Sequence, residues 1–342
     1  MQRKTLTRED QFGIRGGVRL TIGRLWRPET FQGAHRKQDY FEGWYFKLID
    51  QSRSTVLAVI PGIAIGKNGQ DAHAFIQLID AVTGKTEYFR FPFEDFSADA
   101  NRFNVSIGAN RFSDQGIEID LANESARISC KLQFDQIEKF PRSFFSPGIM
   151  GPFSFLPGME CYHGIVNISH TISGNLCFNG EETDMTGGEG YIEKDWGKSF
   201  PQSWIWMQAN HFETRGASFM FSVARIPWLG RSFTGLISFL KTPSGFYRFA
   251  TYNGGTIQRL RIAGDTITAR LRNAAHTLDF TAAYTQGGIL KAPKNGMMHR
   301  EIEESITAEI KVSLTGRKGN TIFEGTSGRA GMELSNAAEF LV

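Results

Sequence analysis

The sequence predicts an all-β protein, barrel or sandwich, organised as two packed domains. Three observations carry this expectation. The dominant hydrophobic period is two rather than 3.6, Gly/Asn/Asp turn signals recur at short intervals, and helical patterning is scarce. At 342 residues the chain suits two domains or one large all-β unit.

The elements follow in order. Residues 1–27 form a basic arm in which Arg3, Lys4, Arg8, Arg15, Arg19, Arg24 and Arg27 outnumber Glu9 and Asp10. With Leu20, Ile22, Leu25 and Trp26 it offers a peripheral contact to an anionic membrane surface; the alternative is a solvated arm. A first β domain is expected over 28–145. It opens on "YFEGWYFKLID" and continues through "EYFRFPF", where Phe89, Phe91 and Phe93 alternate with Tyr88, Arg90 and Pro92, then "RFNVSI", "IEIDL" and "RISCKLQF". "FPRSFFSPGIMGPFSFLPG" (140–158) holds four prolines, and residues 146–158 are expected to cross between domains. The second β domain is expected over 159–342. There "TITARLR" and "SITAEIKVSL" alternate cleanly, the latter with Ile306, Ala308, Ile310, Val312 and Leu314 on one face. "HREIEESI" (299–306) is the best helical candidate. A faint internal echo joins "YFEGWYFKLID" to "SWIWMQANHF" (203–212), both aromatic on two faces.

Composition narrows the function classes. A net charge of +3 without a polybasic block or RNA-reading aromatic motif argues against a nucleic-acid partner. Three cysteines, Cys130, Cys161 and Cys177, without CxxC, argue against a disulfide framework and fit a reducing cytoplasm. The start shows no secretory pattern and no stretch is long and apolar enough for a membrane helix. The seven histidines show no metal-ligand spacing, so no metal is expected. GxGxxG, GxxxxGK[ST] and GxSxG are absent, which leaves nucleotide-dependent and serine-hydrolase readings without support.

The densest chemistry lies in "YIEKDWGKSFPQSWIWMQANHF" (191–212), with three of the six tryptophans. Alternation places Trp204, Trp206, Gln208 and Asn210 on one face and Ile205, Met207, Ala209 and His211 on the other. The first face reads equally as a pocket wall or a Trp-rich core. Glu193 and Asp195 share one face and Lys194 takes the other, which is either a pair of carboxyls with split pKa values or a solvated turn. In "MECYHG", Cys161 and His163 lie two apart on one strand, without the oxyanion loop a thiol protease needs.

"YFEGWYFK", "MECYHG", "GYIEKDWGKSFPQSWIWMQANHF" and "FATYNG" together resemble the tocopherol cyclase family in its shorter bacterial form, from about Trp26 to near the C-terminus. More distantly the chain is similar to the two-domain lipocalin-like group that contains carotenoid hydratases. The resemblance implies two lipocalin-like barrels packed together. It also implies a cofactor-independent cyclase that protonates a prenyl alkene so that a hydroquinone oxygen closes a chromanol ring, on an apolar small-molecule substrate. Such chemistry needs a carboxylic acid kept protonated near pH 7 by a dry site, and π faces around the cation. On that basis Asp195 is the expected proton donor, tuned by Glu193, with His163, His211 or Asn210 orienting the phenol. Trp44, Trp196, Trp204, Trp206, Glu42, His73, Glu160, Tyr162, Gln208 and Asn253 are the expected ligand contacts. The competing expectations are an alkene hydratase and a non-catalytic binder of an isoprenoid or other apolar ligand.

Overall fold

A computed structural model describes residues 23–81, 84–228 and 230–341; the start of the basic arm, residues 1–22, lies outside them. Strands dominate the described residues, in two antiparallel sheets. The first has twelve strands: β1 (Tyr40–Ile49), β2 (Val56–Ile65), β3 (His73–Asp80), β4 (Thr86–Pro92), β5 (Phe96–Ala98), β6 (Asn104–Ile107), β7 (Asn110–Ser113), β8 (Gly116–Ala122), β9 (Arg127–Lys139), β10 (Cys161–Phe178), β11 (Glu181–Asp184) and β12 (Gly188–Gly197). The second has ten: β13 (Trp204–Ala209), β14 (Ser218–Trp228), β15 (Arg231–Thr242), β16 (Gly245–Ala250), β17 (Thr256–Ala263), β18 (Thr266–Arg272), β19 (His276–Ala283), β20 (Gly288–Lys294), β21 (Met297–Gly316) and β22 (Thr321–Ser335).

The two sheets repeat one topology. The first runs β4-β3-β2-β1-β12-β10-β9-β8-β7-β6-β5, and the second runs β16-β15-β14-β13-β22-β21-β19-β18-β17. In each, a four-strand meander returns its first strand against the last strand of the sheet. The echo between "YFEGWYFKLID" and "SWIWMQANHF" therefore has a structural meaning: β1 and β13 hold equivalent places.

Each sheet wraps its own apolar core, and a third core lies between them. Alternation decides the assignment. In β1, Tyr40, Trp44, Phe46 and Leu48 enter the first core, while Tyr45 and Ile49 face the second sheet. In β13, Ile205, Met207 and Ala209 enter the second core, while Trp204 and Trp206 face the first sheet.

Two expectations are corrected. Residues 146–158 join β9 to β10, both in the first sheet; the passage between sheets falls at 198–203. Proline density marked an irregular segment, but the segment lies over the interface, where Ile149 and Met150 join the shared core. The chain leaves the first sheet at Gly197, whose φ of +152° and a Cβ position 2.3 Å from the Glu160 carbonyl oxygen exclude any side chain. "HREIEESI" is strand, part of β21. Ile302 and Ile306 are four apart, which satisfies both periods, and pairing with β20 and β22 settles the conformation.

Trp44 is a structural residue. It is fully buried, stacks on Phe103 with centroids 5.8 Å apart, and donates its indole N–H to Glu29 O at 2.8 Å. Trp44→Ala is expected to cost about 3–5 kcal/mol of stability, read by denaturant unfolding, through the cavity it leaves.

Candidate active site

The cavity lies between the two sheets, with a volume of about 170 Å³. The barrel interiors are filled with side chains, so the cavity lies between the two sheets and not inside either one. The first sheet contributes Phe41, Gly43 and Tyr45 from β1, Phe75 and Gln77 from β3, Cys161 and His163 from β10, and Glu193 and Asp195 from β12. The second contributes Trp204 and Trp206 from β13, Ser222, Ala224 and Ile226 from β14, Glu304 from β21 and Glu333 from β22. Met150, Phe153 and Met159 enter from the connection between β9 and β10, residues 140–160.

Glu193 is the buried acid of the first wall of this cavity. Its Oε2 accepts from the Tyr191 hydroxyl at 2.7 Å and from the Trp206 indole N–H at 3.3 Å. Burial pushes its pKa up to about 7; the His163 charge opposes the rise and Asp195 adds to it. His163 sits opposite Asp195 on the neighbouring strand, with Nδ1 2.9 Å from Asp195 Oδ1 and Nε2 3.5 Å from Glu193 Oε2. Burial alone would lower the imidazole, but the Asp195 and Glu193 carboxylates outweigh it and hold His163 at about 9. At neutral pH His163 is therefore an imidazolium, Nδ1–H donating to Asp195 and Nε2–H directed at Glu193. A carboxyl raised from 4.5 to about 7 contributes stability below pH 4.5 that is lost as pH rises through 7.

A second carboxyl pair faces the first. Glu333 and Glu304 are register partners on β22 and β21. Glu333 accepts from the Trp204 indole N–H at 2.8 Å, and burial, opposed by that hydrogen bond, raises it to about 7. Glu304 is pushed well above the carboxylate range, first by burial and then by the Glu333 charge. It accepts from the Tyr45 hydroxyl at 2.5 Å, while its Oε2 has no protein partner.

The repeated topology explains this arrangement. Tyr45 pairs with Glu193 across β1–β12, and Trp206 pairs with Glu333 across β13–β22. Each aromatic then donates across the interface rather than to its in-sheet neighbour: Trp206 to Glu193, Tyr45 to Glu304. The two rings meet edge to face with centroids 5.5 Å apart. One local design, used twice, places a carboxyl on each wall.

Of the expected site residues, Asp195, Glu193, His163, Trp204 and Trp206 line the cavity. The others lie elsewhere. Trp44, Trp196 and Glu42 point to the opposite faces of their strands; Glu42 is sealed against Lys194 and the Gln32 and Gly33 N–H groups. Tyr162, one residue out of phase with His163, stacks on Trp196 and donates to Leu156 O at 2.6 Å. His73 bonds Asp71 O and Tyr88 Oη at 2.6 and 2.7 Å. Gln208, Asn210 and His211 form a buried chain beyond the cavity: Gln208 accepts from Lys47 at 2.9 Å and donates to Asn210, which donates to Gly190 O at 3.1 Å. His211 is kept neutral by burial. Glu160 contributes its backbone carbonyl to the inter-sheet turn, accepting from Lys198 N at 2.8 Å, and Asn253 caps the turn after β16.

Glu304, Glu333 and Tyr45 were missed. Glu304 carried a readable signal, since it is in phase with Ile306, Ala308 and Ile310 and so is a carboxylate on an apolar face. Glu333 and Tyr45 carried none. The metal expectation also needs restating. His163, Glu193 and Asp195 bring ligand atoms within 4.8 Å of one another, from two strands, so no sequence spacing announces them. His163 Nδ1 is held by Asp195 and Glu193 accepts from Tyr191 and Trp206, while His163 Nε2 has no hydrogen-bond partner. Among the described residues no helix is long and apolar enough to cross a membrane.

Fold and site together define a double lipocalin-like β protein with carboxyl groups on both walls of an inter-sheet cavity. A model of the tocopherol cyclase-like family matches residues 110–336, and the chain belongs to that family. The chloroplastic tocopherol cyclase of Zea mays is 25% identical over 206 residues, 56% of this chain and 42% of that protein, so the chain spans less than half of that relative's length. Among solved structures, CghA with Sch210972 matches at a TM-score of 0.53 and 11% identity, covering 87% of this chain and 89% of that one. Kievitone hydratase from Nectria haematococca matches at 0.49 and 9%, covering 87% and 90%. At such identities the likeness concerns the fold alone.

Proposed function

We propose that the protein is a cofactor-independent cyclase of prenylated hydroquinones, with Glu193 rather than Asp195 as proton donor. The carrying observation is Glu193 itself, a buried carboxyl with a pKa of about 7 at the wall of an apolar cavity. It is the stronger acid of the Glu193–His163 pair and is still protonated near neutrality. Asp195 is engaged by His163 Nδ1 and acts as the orienting carboxylate.

The step balances without a redox partner. Glu193 gives its proton to the less substituted alkene carbon, and a tertiary cation forms beside the Trp204 and Trp206 π faces, each such contact worth about 0.5–2 kcal/mol. The phenol oxygen bonds to the cation and its proton passes to the Glu333 carboxylate. The imidazolium of His163 stabilises the Glu193 carboxylate left behind, and protons re-equilibrate through solvent between turnovers. The substrate isomerises, with no atom gained or lost. About 170 Å³ suits a substituted ring and the reacting end of a chain, so a long tail must extend beyond the cavity.

Incubation with a short prenylated hydroquinone tests this by mass spectrometry. The expected product keeps the substrate mass and changes retention. A product heavier by one water would establish hydration, and a bound, unchanged quinol would establish a carrier. Activity is expected to peak near pH 7, falling above as Glu193 loses its proton and below as Glu333 gains one. A rate rising monotonically to pH 9 would contradict the assignment of Glu193.

A further inference from the structure

We propose that the Phe144–Phe145 turn is a wedge that docks the protein on an anionic lipid surface. Phe144 and Phe145 are 74% and 76% exposed, and with Phe155 at 42% they make three of the five exposed large hydrophobic residues described. Their clustering on one segment departs from the scattered single exposures normal on a protein surface.

The turn is built to hold them outward. Ser143 and Ser146 exchange backbone hydrogen bonds at 2.9 and 3.2 Å, which leaves the two phenylalanines at the tip. They pack on each other edge to face at 5.1 Å, and Trp26 reaches Phe144 at 5.9 Å and Phe155 at 5.4 Å. Trp26 also donates its indole N–H to Ser143 O at 3.1 Å. Arg142 donates to Trp26 O at 2.6 Å, and Arg248 to Ser146 Oγ at 2.9 Å and Pro141 O at 3.1 Å. The turn is thus pinned before any partner arrives.

The composition selects a lipid interface. A convex tip of two phenylalanines with a tryptophan behind it suits the headgroup–acyl boundary better than a flat protein face. Arg142 and Arg248 contact the turn directly, Arg142 pairing with Glu29 at 2.9 Å, and Arg27 is exposed one residue from Trp26 with a guanidinium N–H on Asn101 O at 3.2 Å. Cations flanking exposed aromatics match anionic headgroups.

The same segment reaches the cavity. The His163 N–H donates to Met150 Sδ at 3.1 Å, and Met150, Phe153 and Met159 form cavity wall. Delivery of a lipid-borne quinol along this segment rests on the cyclase reading; the docking itself does not.

Co-sedimentation of the full chain with vesicles tests the docking without any substrate. The wild type is expected to pellet with phosphatidylcholine–phosphatidylglycerol vesicles and to be released by high salt. Phe144→Ser combined with Phe145→Ser is expected to reduce the bound fraction at least tenfold while the unfolding transition stays in place, since both rings are exposed. Binding by the double variant equal to wild type would overturn the proposal, as would a wild type that stays in the supernatant. Light scattering adds a third arm: a wild-type dimer that the double variant converts to monomer would assign the tip to a second copy of this chain instead.

Discussion

Glu193→Gln is expected to lower turnover of a prenylated hydroquinone by about 10²–10⁴-fold, the usual span for a general acid, while the protein stays folded. Glutamine keeps the shape and still accepts from Tyr191 and Trp206, so the hydrogen bonds at 2.7 and 3.3 Å survive. What is lost is a transferable proton. Asp195→Asn should cost less, acting through the orientation and charge of His163, and should shift the pH profile rather than flatten it. Turnover of Glu193→Gln within threefold of wild type, with an unchanged unfolding transition, would return the donor role to Asp195.

A loss of stability as large as that of Trp44→Ala is expected at the opposite face of the same strand. Lys194 is fully buried, donates to Pro28 O at 2.9 Å and Thr30 O at 2.5 Å, pairs with the fully buried Glu42, and lies 4.5 Å from the Trp44 ring centre. Lys194→Met leaves the fully buried Glu42 without its charged partner, at an expected cost of about 3–5 kcal/mol measured by denaturant unfolding. Adding Glu42→Leu should restore part of that loss, because a buried pair replaced by packed apolar groups is often neutral or better. If the double variant were as unstable as the sum of the singles, the two charges would not be coupled.

These two variants show how far one strand could be read. "YIEKD" alternates, and alternation alone set Glu193 and Asp195 apart from Lys194. The sequence suggested chemistry for the acids; it carried no hint that Lys194 closes the first barrel against the segment before β1. Trp44, Glu42 and Trp196 were expected in the pocket because they are aromatic or acidic within distinctive motifs. Their parity sends them inward, to the face where the first core lies. The difference lies in which face lines the cavity, and a period of two does not contain that information.

The 140–158 segment teaches the same lesson at larger scale. Proline excludes regular strand there, so a break between β9 and β10 was legible. Whether a break separates domains depends on which strands pair next, and β10 returns to β9 and β12.

The sequence by itself determined the all-β class, the two-part organisation, the shared face of Glu193 and Asp195, and the shared face of Trp204 and Trp206. All of these follow from the geometry of a single pleated strand, where neighbours in the chain are enough. Only the tertiary structure decided that the cavity lies between the barrels, that His163 joins the acids, and that Glu304 and Glu333 answer them from the other wall. Those pairings join residues of different sheets, Glu193 to Trp206 and Tyr45 to Glu304, and arise because two repeats of one topology pack face to face. A carboxyl is raised by what buries it, and here the burial comes from packing one sheet on the other.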